Sequence, residues 1–233
     1  MPVANRHFHN NDHYPFGPQM YVPKLQGLSA YHDGLDYLVD FGTPYPADTD
    51  GIANDLAQGA SISTFTAVNG FGADGVIDGK WGRTVTIVAS GAGTNNVTIN
   101  GYDYLNQPIQ KVVALNGATP VLILVAFKRI TSVAVAAGGS ITVDVGFGAG
   151  FGLPYKAIKV LEEIVDGAIG TNGTLTAPVL TDPATNATLD PRGIYTPNMT
   201  PDGTKLLQAR FLLDSYINSS GNGGLHGIRH YGG

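Results

Sequence analysis

Short β-type runs separated by glycine-rich turns fill residues 82–153, and this pattern constrains the fold more than any other feature of the chain. In residues 84–88 and 96–100, polar and apolar side chains alternate with the period of two that is typical of half-buried strands. Comparable runs recur about every 10 to 13 residues, as in a β-sandwich. We therefore predict an all-β fold, an antiparallel β-sandwich of the jelly-roll or Ig-like kind. The predicted strands are a run that begins at Ile62, then 83–90, 95–104, 109–115, 120–126, 129–136 and 141–147.

The connections between these runs contain the residues that tight turns require. Asn106-Gln107-Pro108, Asn116-Gly117 and Gly138-Gly139 are turn signals, so each connection is expected to be short. The run at residues 121–125, Val-Leu-Ile-Leu-Val, is apolar on both faces. It predicts either a strand buried between the sandwich and another layer or subunit, or the one fully internal strand of a monomer.

The composition favours a turn-rich protein with a weakly charged surface. Charged residues make up 13% of the 233 residues, against about 25% in an ordinary globular protein, and 32 glycines and 14 prolines favour turns over helices. Because such a surface repels other copies only weakly, it favours assembly with partner subunits. The net charge of −5 and the scatter of 13 Lys and Arg residues argue against nucleic-acid binding.

Cysteine is absent from the chain, which excludes disulfides and thiolate chemistry. The first residues lack a basic start followed by an apolar run, and nowhere do about 18 apolar residues occur together. We therefore expect neither a targeting segment nor a membrane partner.

The chain is predicted to have three parts. Residues 1–58 are expected to form an extended N-terminal arm and an irregular segment, and residues 59–215 a β-sandwich domain. Residues 216–233, dominated by Gly and Asn, predict a flexible C-terminal tail. Further elements expected within the sandwich domain are a strand or short helix at 156–165, a projecting loop at 167–193 and a last strand at 204–214.

The first 28 residues combine prolines with many aromatic side chains. The prolines prevent a helix or a central strand, which predicts an extended arm. Disordered segments are usually poor in aromatic residues, so we expect these side chains to pack on a surface, either of the same subunit or of a neighbouring one. The aromatic residues concerned are Phe8, Tyr14, Phe16 and Tyr21.

Two groups of residues resemble metal sites, but neither is predicted to bind a metal. The arm that carries His7, His9 and His13 offers no rigid scaffold for tetrahedral coordination. Residues 48–55 cluster oxygen ligands, yet their spacing departs from that of a calcium loop. We interpret this segment as a polar turn capped by Asp48 or Asp50. No cofactor is predicted.

Catalytic arrangements are not recognisable in the sequence. The only two glutamates, Glu162 and Glu163, are adjacent, so in a strand they would point to opposite faces and would not share one substrate as glycosidase carboxylates do. Serines do not complete a nucleophile elbow, and Lys80 does not follow a phosphate loop. Trp81 is interpreted as a core residue, with a ligand-stacking platform as the alternative. We predict that the protein is not an enzyme.

Several turn and strand motifs resemble those of virion structural proteins of tailed bacteriophages. They cover rather more than half of the chain, and leave out the N-terminal arm and the C-terminal tail. The motifs are NGYDYLNQPI at 100–109, LNGATP at 115–120, AFK at 126–128, ITSV at 130–133, GFGLPY at 150–155, DPRGIY at 190–195 and PDGTK at 201–205.

The resemblance implies a virion component, and within that class we favour a capsid decoration (cement) protein on the capsid surface. Its expected partners are the major capsid protein and further copies of itself in a homotrimer. A neck, tail or fibre-attachment adaptor is the alternative within the virion. A carbohydrate-binding receptor protein that uses Trp81 is the alternative from another class. The expected partner-binding residues are Phe8, Tyr14, Phe16 and Tyr21 on the arm and His230 and Tyr231 on the tail.

Overall fold

The computed structural model of the chain describes residues 36–178 and 190–213. Within these residues the fold is all-β, with strands in antiparallel sheets and no helix. The predicted antiparallel β-sandwich is thereby confirmed. The expected arm at residues 1–28, the tail at 216–233 and the middle of the expected loop, residues 179–189, lie outside the described residues.

Fourteen strands occur in the described part of the chain. Those predicted between residues 83 and 147 agree with β4 to β9 to within a few residues, except that β9 continues to Gly152. The strands are β1 (Asp36–Gly42), β2 (Asp48–Ala57), β3 (Ser61–Ile62), β4 (Arg83–Ala89), β5 (Asn96–Tyr102), β6 (Pro108–Ala114), β7 (Val121–Phe127), β8 (Arg129–Val135), β9 (Thr142–Gly152), β10 (Ala157–Val165), β11 (Ala168–Gly170), β12 (Thr174–Thr176), β13 (Ile194–Thr196) and β14 (Leu207–Leu213).

These strands form three sheets within the described residues. The long sheet has the order β12-β13-β9-β4-β7, and β2 pairs with the first part of β9. The hairpin sheet has the order β3-β8-β5-β6, and the terminal sheet the order β1-β14-β10-β11. Because β1 and β14 lie next to each other, the two ends of the described chain meet in one sheet.

The larger hydrophobic core lies between the long sheet and the hairpin sheet. Val85 and Ile87 of β4 and Val97 and Ile99 of β5 belong to this core, and each of the four side chains is fully buried. Their spacing of two residues is the alternation on which the sandwich prediction rested. Burial of each such side chain contributes roughly 1.5 to 3 kcal/mol, so this core is a main source of stability.

A second core joins the terminal sheet to the ends of β9 and β13, and aromatic rings fill it. Phe41 of β1 lies 5.4 Å from Phe151 of β9 and 5.7 Å from Tyr195 of β13, measured between ring centroids. Tyr195 also meets Phe211 of β14 edge-on at 5.1 Å. The terminal sheet is therefore packed on the sandwich through aromatic contacts in several orientations.

The expectation of an irregular segment is wrong for most of residues 36–57, which form β1 and β2. β1 is a strand because Val39 and Phe41 enter the second core while Leu38 faces outwards. Its partner β14 lies near the other end of the sequence, so local patterns gave no sign of the pairing. β2 contains two register shifts against β9, and these interrupt the period of two that marks a regular strand.

The prediction of a projecting loop at 167–193 is also wrong for those of its residues that the structure describes. Residues 168–170 and 174–176 are β11 and β12, and Asp190 and Arg192 are buried. The segment at 156–165, predicted as a strand or short helix, is the strand β10.

Within residues 36–178 and 190–213, β7 ends the order of the long sheet, so this part of the chain does not make it the fully internal strand that one alternative expected. Leu122 on its outer face is 48% exposed, whereas Ile123 and Val125 enter the larger core. The alternative that another layer or subunit covers β7 stays a prediction.

Candidate binding surface

The structure fixes where the two segments with the predicted partner-binding residues join the fold. β1 begins at Asp36 and β14 ends at Leu213. These strands are antiparallel neighbours in the terminal sheet, and Asp36 is paired with Leu212. The segments before residue 36 and after residue 213 therefore join the sheet at the same end. The predicted residues Phe8, Tyr14, Phe16, Tyr21, His230 and Tyr231 themselves lie outside the described residues.

The outer face of the terminal sheet carries exposed apolar side chains around an ion pair. Leu38 is 44% exposed and Ile169 is 68% exposed, on the two outer strands of the sheet. Between them, Arg210 Nη1 lies 3.5 Å from Glu162 Oε2. Leu38, Arg210 and Glu162 form one row across three strands. A partner bound here would remove apolar area from water while the two charges stay paired.

A cluster of buried charged side chains joins the segment before β13 to the β5–β6 hairpin. Its members, Asp103, Lys111, Asp190 and Arg192, are each at most 3% exposed. Arg192 Nη2 donates a hydrogen bond of 2.7 Å to Asp103 Oδ2. The guanidinium of Arg192 also lies 4.7 Å from the ring centroid of Tyr104. Two acids and two bases thus share one buried region, which allows each charge to be compensated.

Asp190 connects this buried cluster to β7. Its Oδ2 accepts a hydrogen bond of 3.1 Å from the backbone N–H of Ala126, and its Oδ1 accepts one of 2.9 Å from the N–H of Arg192. Burial lowers the pKa of Lys111, and the negative charge of Asp190 opposes that shift. The segment from Asp190 to Arg192 therefore holds the end of β7 against the β5–β6 hairpin.

Sequence reasoning did not identify this cluster. Asp190-Pro191-Arg192-Gly193 has the composition of a turn and was assigned to the projecting loop. The only signal was the motif at 190–195, which contributed to the resemblance without any role for its charges. The pairing of Arg192 with Asp103 joins distant parts of the sequence, so no local pattern predicts it.

Arg83 is buried at the boundary between the two cores. Its guanidinium lies 4.8 Å from the ring centroids of both Phe147 and Phe151, which belong to different cores. Arg83 Nη1 donates a hydrogen bond of 2.7 Å to Asp78 Oδ1. Burial lowers the pKa of Arg83, and Asp78 opposes this shift. These contacts make Arg83 a bridge between the cores.

The adjacent glutamates point to opposite faces of β10, as predicted. Glu162 pairs with Arg210 on the outer face, whereas Glu163 is 1% exposed. Glu163 accepts hydrogen bonds from the Tyr195 hydroxyl and from the backbone N–H groups of Asn198 and Met199. Glu163 therefore holds the segment after β13, and the two carboxylates do not face a common space.

The acidic residues at 48–55 lie in β2 and not in the expected polar turn. Part of the interpretation holds, because Asp48 Oδ1 accepts a hydrogen bond of 3.2 Å from the backbone N–H of Asp50. The hydrogen bond to Asp48 raises the pKa of Asp50, and burial and nearby acidic charges add to this effect. Among the described residues, no group of three or more His, Asp or Glu side chains is arranged to hold a metal ion.

Trp81 packs, partly buried, against the second core, in keeping with the core interpretation. Its ring meets Tyr104 edge-on, with centroids 5.0 Å apart and an interplanar angle of 89°. Lys80 Nζ lies 5.1 Å from the centroid of the same ring. The Lys80 ammonium thus lies over ring surface on which a sugar would stack.

In the part of the chain that the structure describes, no helix is long and apolar enough to cross a membrane. Comparisons of the chain with models of protein families, with curated proteins and with solved structures find no match.

Proposed function

We propose that this chain is a structural protein of a tailed-bacteriophage virion that binds the outside of the assembled capsid and stabilises it. The observation that carries the proposal is the pairing of Asp36 with Leu212. Because of this pairing, the aromatic N-terminal segment and the C-terminal segment start from one end of the terminal sheet. Both segments are thus available to contact the same neighbouring subunits, of the capsid or of a homotrimer.

The proposed mechanism is thermodynamic. A protein that binds only the assembled shell stabilises that shell by mass action. Weak contacts that repeat over a lattice add up, since each bound copy holds its neighbours in place. The low content of charged residues, 13%, fits a surface that is covered in an assembly.

The first test is the copy number of the protein in purified virus particles, measured by quantitative mass spectrometry against the major capsid protein. A number comparable to that of the major capsid protein supports the decoration role. A few copies per particle would instead favour the neck, tail or fibre-attachment adaptor. Absence from the particle would contradict any structural virion role.

The second test concerns the aromatic arm. Replacement of Phe8, Tyr14, Phe16 and Tyr21 by Ala is expected to abolish binding to capsids that lack the protein, because the arm loses its apolar contact area. The matched control replaces Asn10, Asn11 and Gln19 of the same segment by Ala and should bind normally. Unchanged capsid binding and trimer formation by the aromatic variant would contradict the role of the arm.

A further inference from the structure

The outer strands of the three sheets differ in how they avoid pairing with other chains. Natural proteins protect sheet edges with short strands, charges, prolines or bulges. Within residues 36–178 and 190–213, β3, β11 and β12 are only two or three residues long. β6 begins at Pro108 and carries the buried Lys111. β1 and β2 contain aspartates and register shifts.

The strand β7 has none of these protections along its first half. All seven residues of Val121–Phe127 are apolar. The register shift between β4 and β7 lies toward the end of β7, and residues 121–123 pair regularly with β4. At the end of β7 the outer edge is not free to pair with another strand, because the N–H of Ala126 donates a hydrogen bond to Asp190. No described strand pairs with the outer edge of residues 121–124, and Leu122 is 48% exposed.

The sequence of this edge is complementary to itself. Residues 121–125, Val-Leu-Ile-Leu-Val, read the same in both directions. In an antiparallel pair of two copies centred on Ile123, each Leu122 lies opposite Leu124 of the partner subunit. Leucine then contacts leucine on the outer face of the sheet. The β-branched side chains of Val121, Ile123 and Val125 stay on the inner face and pack in the larger core. No charge has to be desolvated, because this run contains none.

We propose that the outer edge of β7 pairs with β7 of a second copy of this chain, antiparallel and about a two-fold axis at Ile123. The long sheets of the two subunits then form one continuous sheet. Backbone hydrogen bonds supply the affinity, as in other cases of strand addition, and the leucine contacts fix the register. The contact is isologous, so two copies close it completely.

This inference does not rest on the proposed virion function. The isolated protein is expected to form the contact, with no capsid present. On a capsid, the same contact would join copies that belong to neighbouring trimers. A negative result for capsid binding therefore leaves the β7 contact intact, and loss of the β7 contact leaves capsid binding open.

The first experiment is sedimentation equilibrium of the full chain and of two lysine variants. Leu122→Lys places an ammonium at the centre of the interface and is expected to raise the dissociation constant of the dimer by at least about tenfold. The control Ile169→Lys changes a residue that is 68% exposed on the terminal sheet and should dimerise normally. A wild-type protein that is monomeric, or a Leu122→Lys variant that associates normally, would overturn the proposal.

The second experiment tests the register, and its result does not depend on whether the lysine variant folds. The chain has no cysteine, so introduced thiols are the only ones present. In the double variant Leu122→Cys with Leu124→Cys, each thiol lies opposite one of the partner subunit, and mild oxidation should give covalent dimers in high yield. Either single variant should cross-link at least about tenfold more slowly, because identical positions are offset. Equal rates for single and double variants, or no covalent dimer, would overturn the register.

Discussion

Arg192 donates a hydrogen bond of 2.7 Å to Asp103, and the two residues are 89 positions apart in the sequence. Both side chains are almost fully buried, with exposed fractions of 2% and 1%. The pair fastens the segment before β13 to the turn between β5 and β6. Removal of one member of a buried pair is costly, because the other charge then stays buried without that partner.

Replacement of Arg192 by Met should therefore lower the free energy of unfolding by about 3 to 5 kcal/mol, because the Asp103 carboxylate stays buried without this partner. Urea unfolding followed by circular dichroism measures the change. The double variant Asp103→Asn with Arg192→Met should recover at least about 1 kcal/mol, because the amide is neutral and its oxygen still accepts from the N–H groups of Leu105 and Gln107. A single variant that costs under about 1 kcal/mol would contradict the role assigned to the pair.

Replacement of Arg83 by Lys keeps the charge but removes the planar guanidinium. The guanidinium donates from Nε to Gly148 O at 3.0 Å and from Nη1 to Tyr45 O at 2.9 Å, and the single nitrogen of lysine cannot take both of these positions. We expect a loss of about 2 to 3 kcal/mol in the free energy of unfolding, measured in urea. The matched control is the exposed Arg129, where Arg129→Lys should cost no more than about 0.5 kcal/mol. Equal effects at both positions would contradict the prediction.

Tyr195 should make the stability of the protein fall at alkaline pH. Burial raises the pKa of Tyr195 above its ordinary value of 10.0, and the hydrogen bond to Glu163 raises it further. The folded chain thus keeps a proton that the unfolded chain loses, so this contribution is full below about pH 10 and declines as the pH rises above it.

The Tyr195→Phe variant removes that contribution. At neutral pH it should be less stable than the wild type by about 1 to 2 kcal/mol, because Glu163 loses a donor. Above about pH 10 the difference should shrink, because only the wild type has this group to titrate. Urea unfolding at a series of pH values measures both effects. A constant difference across the series would show that Tyr195 titrates alike in the folded and unfolded chains.

Gly146 of β9 lies close against the backbone of β2. A Cβ at this position would lie 1.9 Å from the carbonyl oxygen of Asp48, so Gly146→Ala must displace β2. We expect the variant to lose about 1 to 3 kcal/mol or more in the free energy of unfolding. In the control Gly91→Ala, the nearest atom is 3.5 Å away on the side chain of Ile141, and the change should stay within about 0.5 kcal/mol. Thermal unfolding of both variants compares the two sites.

Strands could be predicted from the sequence where the pattern is local and regular. Val85 and Ile87 alternate with threonine and valine, and this alternation predicted β4 within a residue of its end. Turn chemistry was equally local, since Asn106 and Gly117 both adopt positive φ at predicted turns. β2 could not be predicted because its register shifts interrupt the period of two. β1 could not be predicted because its position depends on the packing of Phe41 in the second core, which is a contact between distant segments.

The sequence by itself determined that the chain is all-β, because alternating side chains and turn residues act over a few neighbouring positions. It also determined that Glu162 and Glu163 separate, since successive side chains of a strand point to opposite faces. Only the tertiary structure decided that Asp103 meets Arg192, that β1 lies beside β14 and that β7 ends the long sheet of the described residues. These relationships depend on which distant strands pack together, and that choice follows from the free energy of the whole fold and not from any local pattern.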